Sequence, residues 1–232
     1  VGSKGTSSVA KYVDSPMTTV SMDSDYIAFN LDGLSQQRAE LMNIIFIILN
    51  GLIINKVQKE KQRNKIIIFD EVWSLLKTPE GAVFLEELYR TMRKFSCMVL
   101  AISQDIADFS SSDVSNALLS NTYQMFILRQ PVETRLADIQ KILGLNASEK
   151  EIVSRLTMQI GIYSEMFVKI QGIGSGKYRI VPSPMEYWIA TTHPTDTKIL
   201  NNYLLRGLTL EDALKAVSEK YPNGAALEGH RN

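Results

Sequence analysis

Asp70 and Glu71 stand side by side directly after Ile66-Ile67-Ile68-Phe69. A short β-branched run flanked by polar residues has the pattern of a strand buried on both faces, so both carboxylates fall at its carboxyl end. In open parallel α/β sheets, ligands gather beyond that edge. Two consecutive carboxylates there suit metal-assisted hydrolysis. The first can hold Mg²⁺, directly or through water, and the second can polarise an attacking water. The competing reading is that Asp70 or Glu71 caps the chain that follows, and four hydrophobes followed by Asp-Glu do not decide between the two.

Gln104 follows Ala101-Ile102-Ser103 at the end of the next apolar run. A neutral amide there can donate to a phosphate oxygen or position a water without adding charge. A loop glutamine facing solvent is the alternative; the shared sheet edge with Asp70, one crossover later, favours the functional reading. Between the two runs come Arg90, Arg93 and Lys94. Cations at a helix C-terminus are ordinary partners of the helix dipole. A phosphate-reaching arginine must be presented by an ordered element, often from a neighbouring subunit, and Arg93 is the candidate for that role. Arg129, leaving a third apolar run beside Gln130-Pro131, follows the same logic.

One segment imitates a phosphate-binding loop. Gly172-Ile173-Gly174-Ser175-Gly176-Lys177-Tyr178 has Gln171 where the loop pattern needs Gly, and Tyr178 where it needs Ser or Thr. It lies between two strand-like runs and reads as a hairpin turn. Lys4-Gly5-Thr6 fails similarly. The sequence therefore contains no acceptable P-loop, although backbone amides and a lysine are what normally cradle phosphates.

The elements that position these residues alternate. Tyr26 to Leu31 reads as a strand, and Ser35 to about Gln58 as a long helix. Lys65 to Asp70 is a buried strand, and Thr78-Pro79 opens a helix to about Arg93. Cys97 to Ser103 and Met125 to Arg129 read as further buried strands, with short helical pieces over Asp105 to Phe109 and Asp113 to Ser120. Strands alternating with helices predict βαβ units and a parallel sheet. Beyond Pro131 the pattern changes. A helix pair covers Glu133 to Leu143 and Glu149 to Leu156, the second with a Ser148-x-x-Glu151 capping box. A hairpin over Gly161 to Gln171 and Lys177 to Val181 follows, then helices over Pro184 to Ala190, His193 to Arg206 and Thr209 to Tyr221.

Composition sets outer limits. With 25 basic and 25 acidic residues the formal net charge is zero, which speaks against wholesale nucleic-acid binding but leaves room for a local basic patch. The single cysteine, Cys97, lies in an apolar run and reads as a buried small hydrophobe in a reducing compartment. His193 and His230 are far from it, which argues against zinc. Leu41 to Ile54 is too short to span a bilayer and reads as a core helix. The chain starts at Val1 and shows no signal peptide, as a fragment or processed chain would.

Three stretches together, IIIFDEVWSLL, ELYRTMRKFSCMVLAISQDIADF and LLSNTYQMFILRQ, resemble the C-terminal ATPase domain of the conjugative-transfer ATPases of type IV secretion systems. The resemblance continues through ILGLNASEKEIV, PMEYWIATTHPTD and GLTLEDALKAVSEKYPNG, roughly residues 26 to 224. It implies a partial RecA-like (HerA/RecA) P-loop NTPase core, α/β with a mostly parallel sheet flanked by helices, plus a C-terminal hairpin and helical appendage. The corresponding division is an irregular lead-in over 1–25, the core over 26–131, the helical and hairpin part of the same domain over 132–224, and a frayed tail over 225–232.

The resemblance further implies ATP and Mg²⁺ as ligands, with Asp70 as the Mg²⁺-associated Walker B carboxylate and Glu71 as catalytic base. It makes Gln104 the sensor of the γ-phosphate, Arg93 the arginine reaching a neighbour's nucleotide, and Arg129 a further phosphate-sensing residue. Such motors are hexamers that work with other secretion components on the cytoplasmic side of the inner membrane, attached only peripherally. In that family a P-loop strand and helix precede the segments seen here; their loss would leave a gap beside the Gln104 strand or let its neighbours close up. Two other readings stay open: a HerA-like or coupling-protein translocase that contacts DNA, and a non-catalytic docking module of a secretion complex.

Overall fold

The computed structural model describes residues 21–30, 39–72, 76, 79–104, 118–130 and 136–225. The chain divides into two compact units, Val1–Asn121 and Thr122–Asn232.

In the first unit, helix α1 (Ala39–Lys59) leads into strand β1 (Lys65–Phe69). Helix α2 (Pro79–Thr91) and a 3₁₀ turn (Met92–Phe95) then return the chain to strand β2 (Cys97–Ala101). β1 and β2 run parallel, paired from Lys65 opposite Cys97 to Phe69 opposite Ala101, as the alternation of strand and helix predicts. Ser96 sets that register: its left-handed backbone (φ 53°) ends the 3₁₀ turn, and its carbonyl accepts the Lys65 N–H at 2.9 Å. One face of the pair is covered. Ile67, Phe69, Cys97 and Val99 pack with Ile53, Ile54 and Val57 of α1 and with Phe84, Leu88 and Met92. Phe69 meets Phe84 edge-on at a centroid distance of 6.0 Å, the geometry the ring quadrupoles prefer.

The second unit is built around strand β5 (Tyr163–Ile170). Strand β6 (Gly174–Ile180) pairs with it as an antiparallel hairpin. Its other edge takes β3 (Gln124–Leu128) and then the two-residue β4 (Met158–Gln159), both antiparallel. Helices α3 (Leu136–Ile142) and α4 (Ala147–Ser154) join β3 to β4. The C-terminal helices are α5 (Pro184–Ala190), α6 (Pro194–Leu205) and α7 (Leu210–Lys220). Ser183, His193 and Thr209 cap them by accepting the backbone N–H of Glu186, Thr195 and Asp212, which satisfies donors a helix start leaves open. Buried Trp188 donates its indole N–H to the Tyr221 carbonyl at 2.7 Å, tying α5 to the end of α7.

Several expectations are corrected. The α/β class stands, but among the described residues the parallel sheet has two strands, and the larger sheet is antiparallel. The run ending at Arg129 joins that second sheet, where Ile127 lies opposite Phe167 and both are buried. β1 is not buried on both faces: Ile66 and Ile68 are exposed, as are Met98 and Ile102 on the neighbouring chain. Residues 26–30 form no strand, because Ser24 Oγ donates to the Tyr26 carbonyl and accepts its N–H, curling the chain. The capping box of α4 is Asn146 with Glu149, each side chain bonded to the other's N–H at 2.9 Å, rather than Ser148 with Glu151. The expected pieces at Ser35–Arg38, Asp105–Phe109 and 113–117, and the Thr78 cap, lie outside the described residues.

Candidate active site

The two strands do not simply stop together at their carboxyl ends. The Ile102 N–H donates to the Phe69 carbonyl at 2.9 Å, and the Ile102 carbonyl accepts the Val72 N–H at 3.0 Å. Ile102 thus brackets Asp70 and Glu71, which are left out of the ladder as a tight turn. Phe69 is half-buried and Val72 is fully buried beside Leu85 and Leu118, so the turn is held on both sides by core residues. Glu71 takes a left-handed backbone (φ 52°), a sparsely used region for a residue with a Cβ. Its N–H donates to Asp70 Oδ1 at 3.1 Å, and its carboxylate accepts from Gln104 Nε2. Asp70 and Gln104 are exposed and Glu71 is half-buried.

The structure therefore brings together three of the five residues singled out in the sequence. Below them, Tyr89 of α2 and Ala101 at the end of β2 pack against the Val72, Leu85 and Leu118 cluster, and burial pushes the Tyr89 phenol above its ordinary value.

Arg93 is not part of this cluster. It is exposed in the 3₁₀ turn that precedes β2, at the amino end of the strands, whereas Gln104 follows the carboxyl end. Five strand residues separate the two ends by about 16 Å. Its neighbours are engaged: Arg90 pairs with Glu86 at 2.9 Å and the Lys94 ammonium lies 5.0 Å from the Phe95 ring centroid. Arg129 is exposed just after β3 in the second unit. Lys177 of the loop-like segment is occupied by Glu165 at 3.2 Å and starts no helix, as its assignment to a hairpin requires.

Among the described residues no three His, Cys, Asp or Glu side chains cluster as a metal cage. Asp70, exposed at the turn, still fits Mg²⁺, which keeps several waters and takes one or two carboxylates together with phosphate oxygens. The sequence reading missed the bracketing by Ile102 and the left-handed Glu71. No glycine or asparagine marks that position, so no local signal announced it.

A parallel strand pair with Asp-Glu after one strand and an amide after the next is the arrangement of a P-loop-type ATPase core. The chain belongs to the TraG P-loop domain family, which it matches over residues 15–221. It is related to Protein TraC of Escherichia coli (strain K12), with 26% identity over 125 residues, covering 52% of this chain and 14% of TraC. Type IV secretion system protein CagE of Helicobacter pylori (strain ATCC 700392 / 26695) is 22% identical over 162 residues, or 68% of this chain and 16% of CagE. The solved structure of VirB4 of Thermoanaerobacter pseudethanolicus superposes with a TM-score of 0.57 at 23% identity, covering 72% of this chain and 44% of that one, and shares the fold. The chain thus spans a small part of the length of the curated relatives it matches. Among the described residues, no helix is long and apolar enough to cross a membrane.

Proposed function

We propose that this chain is the Walker B-bearing part of an ATP-hydrolysing motor that energises type IV secretion or conjugative DNA transfer. The observation that carries the reading is the Asp70-Glu71 turn, bracketed by Ile102 and joined by Gln104 at one sheet edge. Family membership supports it.

In this reading Asp70 holds Mg²⁺ through water, and the ion neutralises phosphate charge. Glu71 takes a proton from the attacking water, and Gln104 reaches the γ-phosphate. Arg93, at the far end of the strands, serves the nucleotide of a neighbouring subunit in a hexamer, and Arg129 is a further phosphate-contacting residue. The motor works on the cytoplasmic face of the inner membrane, peripherally, with other secretion components.

The sequence holds no Gly-x-x-x-x-Gly-Lys-[Ser/Thr], so the phosphate cradle must come from polypeptide outside it. By itself this chain binds ATP weakly and does not turn it over. The same absence favours one second reading, a domain that keeps the fold but docks without catalysis. Steady-state hydrolysis by the complete protein separates the two. Glu71→Gln should lower kcat by about a hundredfold or more, as loss of a general base does; turnover undiminished by the substitution would show that Glu71 is not the base, and no hydrolysis by the complete wild-type protein would establish the docking module instead.

A further inference from the structure

Gln104 and Glu71 are 33 residues apart in sequence, yet the Gln104 amide donates directly to the Glu71 carboxylate. The donor comes from the chain leaving β2 and the acceptor from a turn with left-handed backbone after β1. An oxygen that already accepts an N–H is a poorer acceptor for a water proton, so this bond weakens Oε1 as a base and fixes the direction in which the carboxylate faces. It is also a bond that can be exchanged, since Gln104 is exposed and Glu71 only half-buried, where polar contacts contribute little net stability.

We propose that the Gln104–Glu71 hydrogen bond is a latch released by the terminal phosphate of a nucleoside triphosphate. The inference rests on the ATPase reading above. A terminal phosphate at this edge repels the Glu71 carboxylate and competes for the same amide N–H. Gln104 turns to the phosphate oxygen and Glu71 turns to the water. A diphosphate has no such group, and the latch stays closed. Gln104 is then a positioning residue for Glu71, and the pair discriminates triphosphate from diphosphate.

Two measurements test the latch and separate its failure from that of the ATPase reading. In this chain, the side-chain amide signals of Gln104 in ¹H–¹⁵N spectra should move most on Glu71→Ala and less on Glu71→Gln, which keeps an accepting oxygen but loses the charge. Signals that ignore Glu71→Ala would overturn the latch. In the complete protein, calorimetry with ADP and a non-hydrolysable ATP analogue reads the release. Glu71→Ala should tighten the analogue relative to ADP by about fivefold, the scale of one exposed charge-assisted hydrogen bond, and Gln104→Ala should abolish that gain. An equal gain in both backgrounds reflects charge removal alone and sinks the latch while leaving the ATPase reading intact. Absence of any nucleotide binding by the complete wild-type protein sinks both.

Discussion

The backbone N–H of Glu71 donates to the side chain of its own neighbour, Asp70, at 3.1 Å, so one carboxylate of the pair holds the turn that presents the other. That turn forces φ to 52° at Glu71, where a β-branched side chain collides with its own backbone and glycine is at ease. In equilibrium urea unfolding of this chain, Glu71→Gly should leave stability within about 0.5 kcal/mol of wild type, because relieved strain offsets the lost contact with Gln104. Glu71→Val should cost about 1–2 kcal/mol. Equal losses for both would mean that the left-handed turn is not populated in solution.

Glu165 ties the second unit's hairpin to the loop before β4. It is buried, and accepts from Arg179 Nη2 at 2.9 Å, from Thr157 N at 2.9 Å and Oγ1 at 2.8 Å, and from Lys177 Nζ at 3.2 Å. The Arg179 guanidinium first, then the two Thr157 donors, hold its carboxyl down at about 2, against an ordinary 4.5. A carboxylate whose folded-state pKa is depressed contributes stability above its unfolded pKa and loses it as pH falls towards the folded one. The thermal midpoints of wild type and Glu165→Gln should therefore differ at pH 7, and the gap should close between pH 4.5 and about 2. A gap that persists to pH 2 would show that packing, not ionisation, separates the two proteins. Other carboxylates titrate in both proteins, so the comparison isolates this one.

The sequence resolves the site better than the sheet around it. Ile66 to Phe69 and Cys97 to Ala101 are short apolar runs separated by a helix, which compels a parallel crossover and puts Glu71 and Gln104 at one edge. The run Gln124–Leu128 carries the same apolar signal, but such a run reads as buried beside either a parallel or an antiparallel neighbour. Only the pairing with Val168 and Phe167 of β5 decides it. The α4 cap fails for a different reason. Asn146-x-x-Glu149 and Ser148-x-x-Glu151 overlap, and the left-handed Gly144 that ends the preceding segment places the start at the first of them.

Asp196 is fully buried at the start of α6 and accepts from Tyr187 Oη at 2.7 Å, Thr191 Oγ1 at 3.3 Å and the Ala225 N–H at 2.9 Å. Those donors come from α5, from the chain after it and from the end of α7's trailing turn, so one carboxylate clasps three segments. Asp196→Ala would leave buried donors without an acceptor, at a cost of about 2–4 kcal/mol. Gly224 closes the same clasp with φ 89°, and a Cβ there would overlap the Tyr187 ring. Gly224→Ala should cost about 1–3 kcal/mol by strain and overlap. Because both changes break one structure, the double variant should lose less than the sum of the two. Strict additivity would show the contacts to be independent.

Arg93 offers the sharpest test of assembly, because it lies at the amino end of the strands while Gln104 follows the carboxyl end. The strands put about 16 Å between the two ends, which is why the proposed role of Arg93 is toward a nucleotide on an adjacent copy. In the complete protein, Arg93→Ala should leave affinity for ATP nearly unchanged and lower kcat by about 10³-fold, as removal of an arginine finger does. Glu71→Gln should be comparably impaired. Mixed oligomers of the two variants contain interfaces at which an intact Glu71 of one copy faces an intact Arg93 of another. Co-assembled variants should therefore recover turnover that neither shows alone. If mixing restores nothing while each variant still assembles, Arg93 does not act across a subunit boundary.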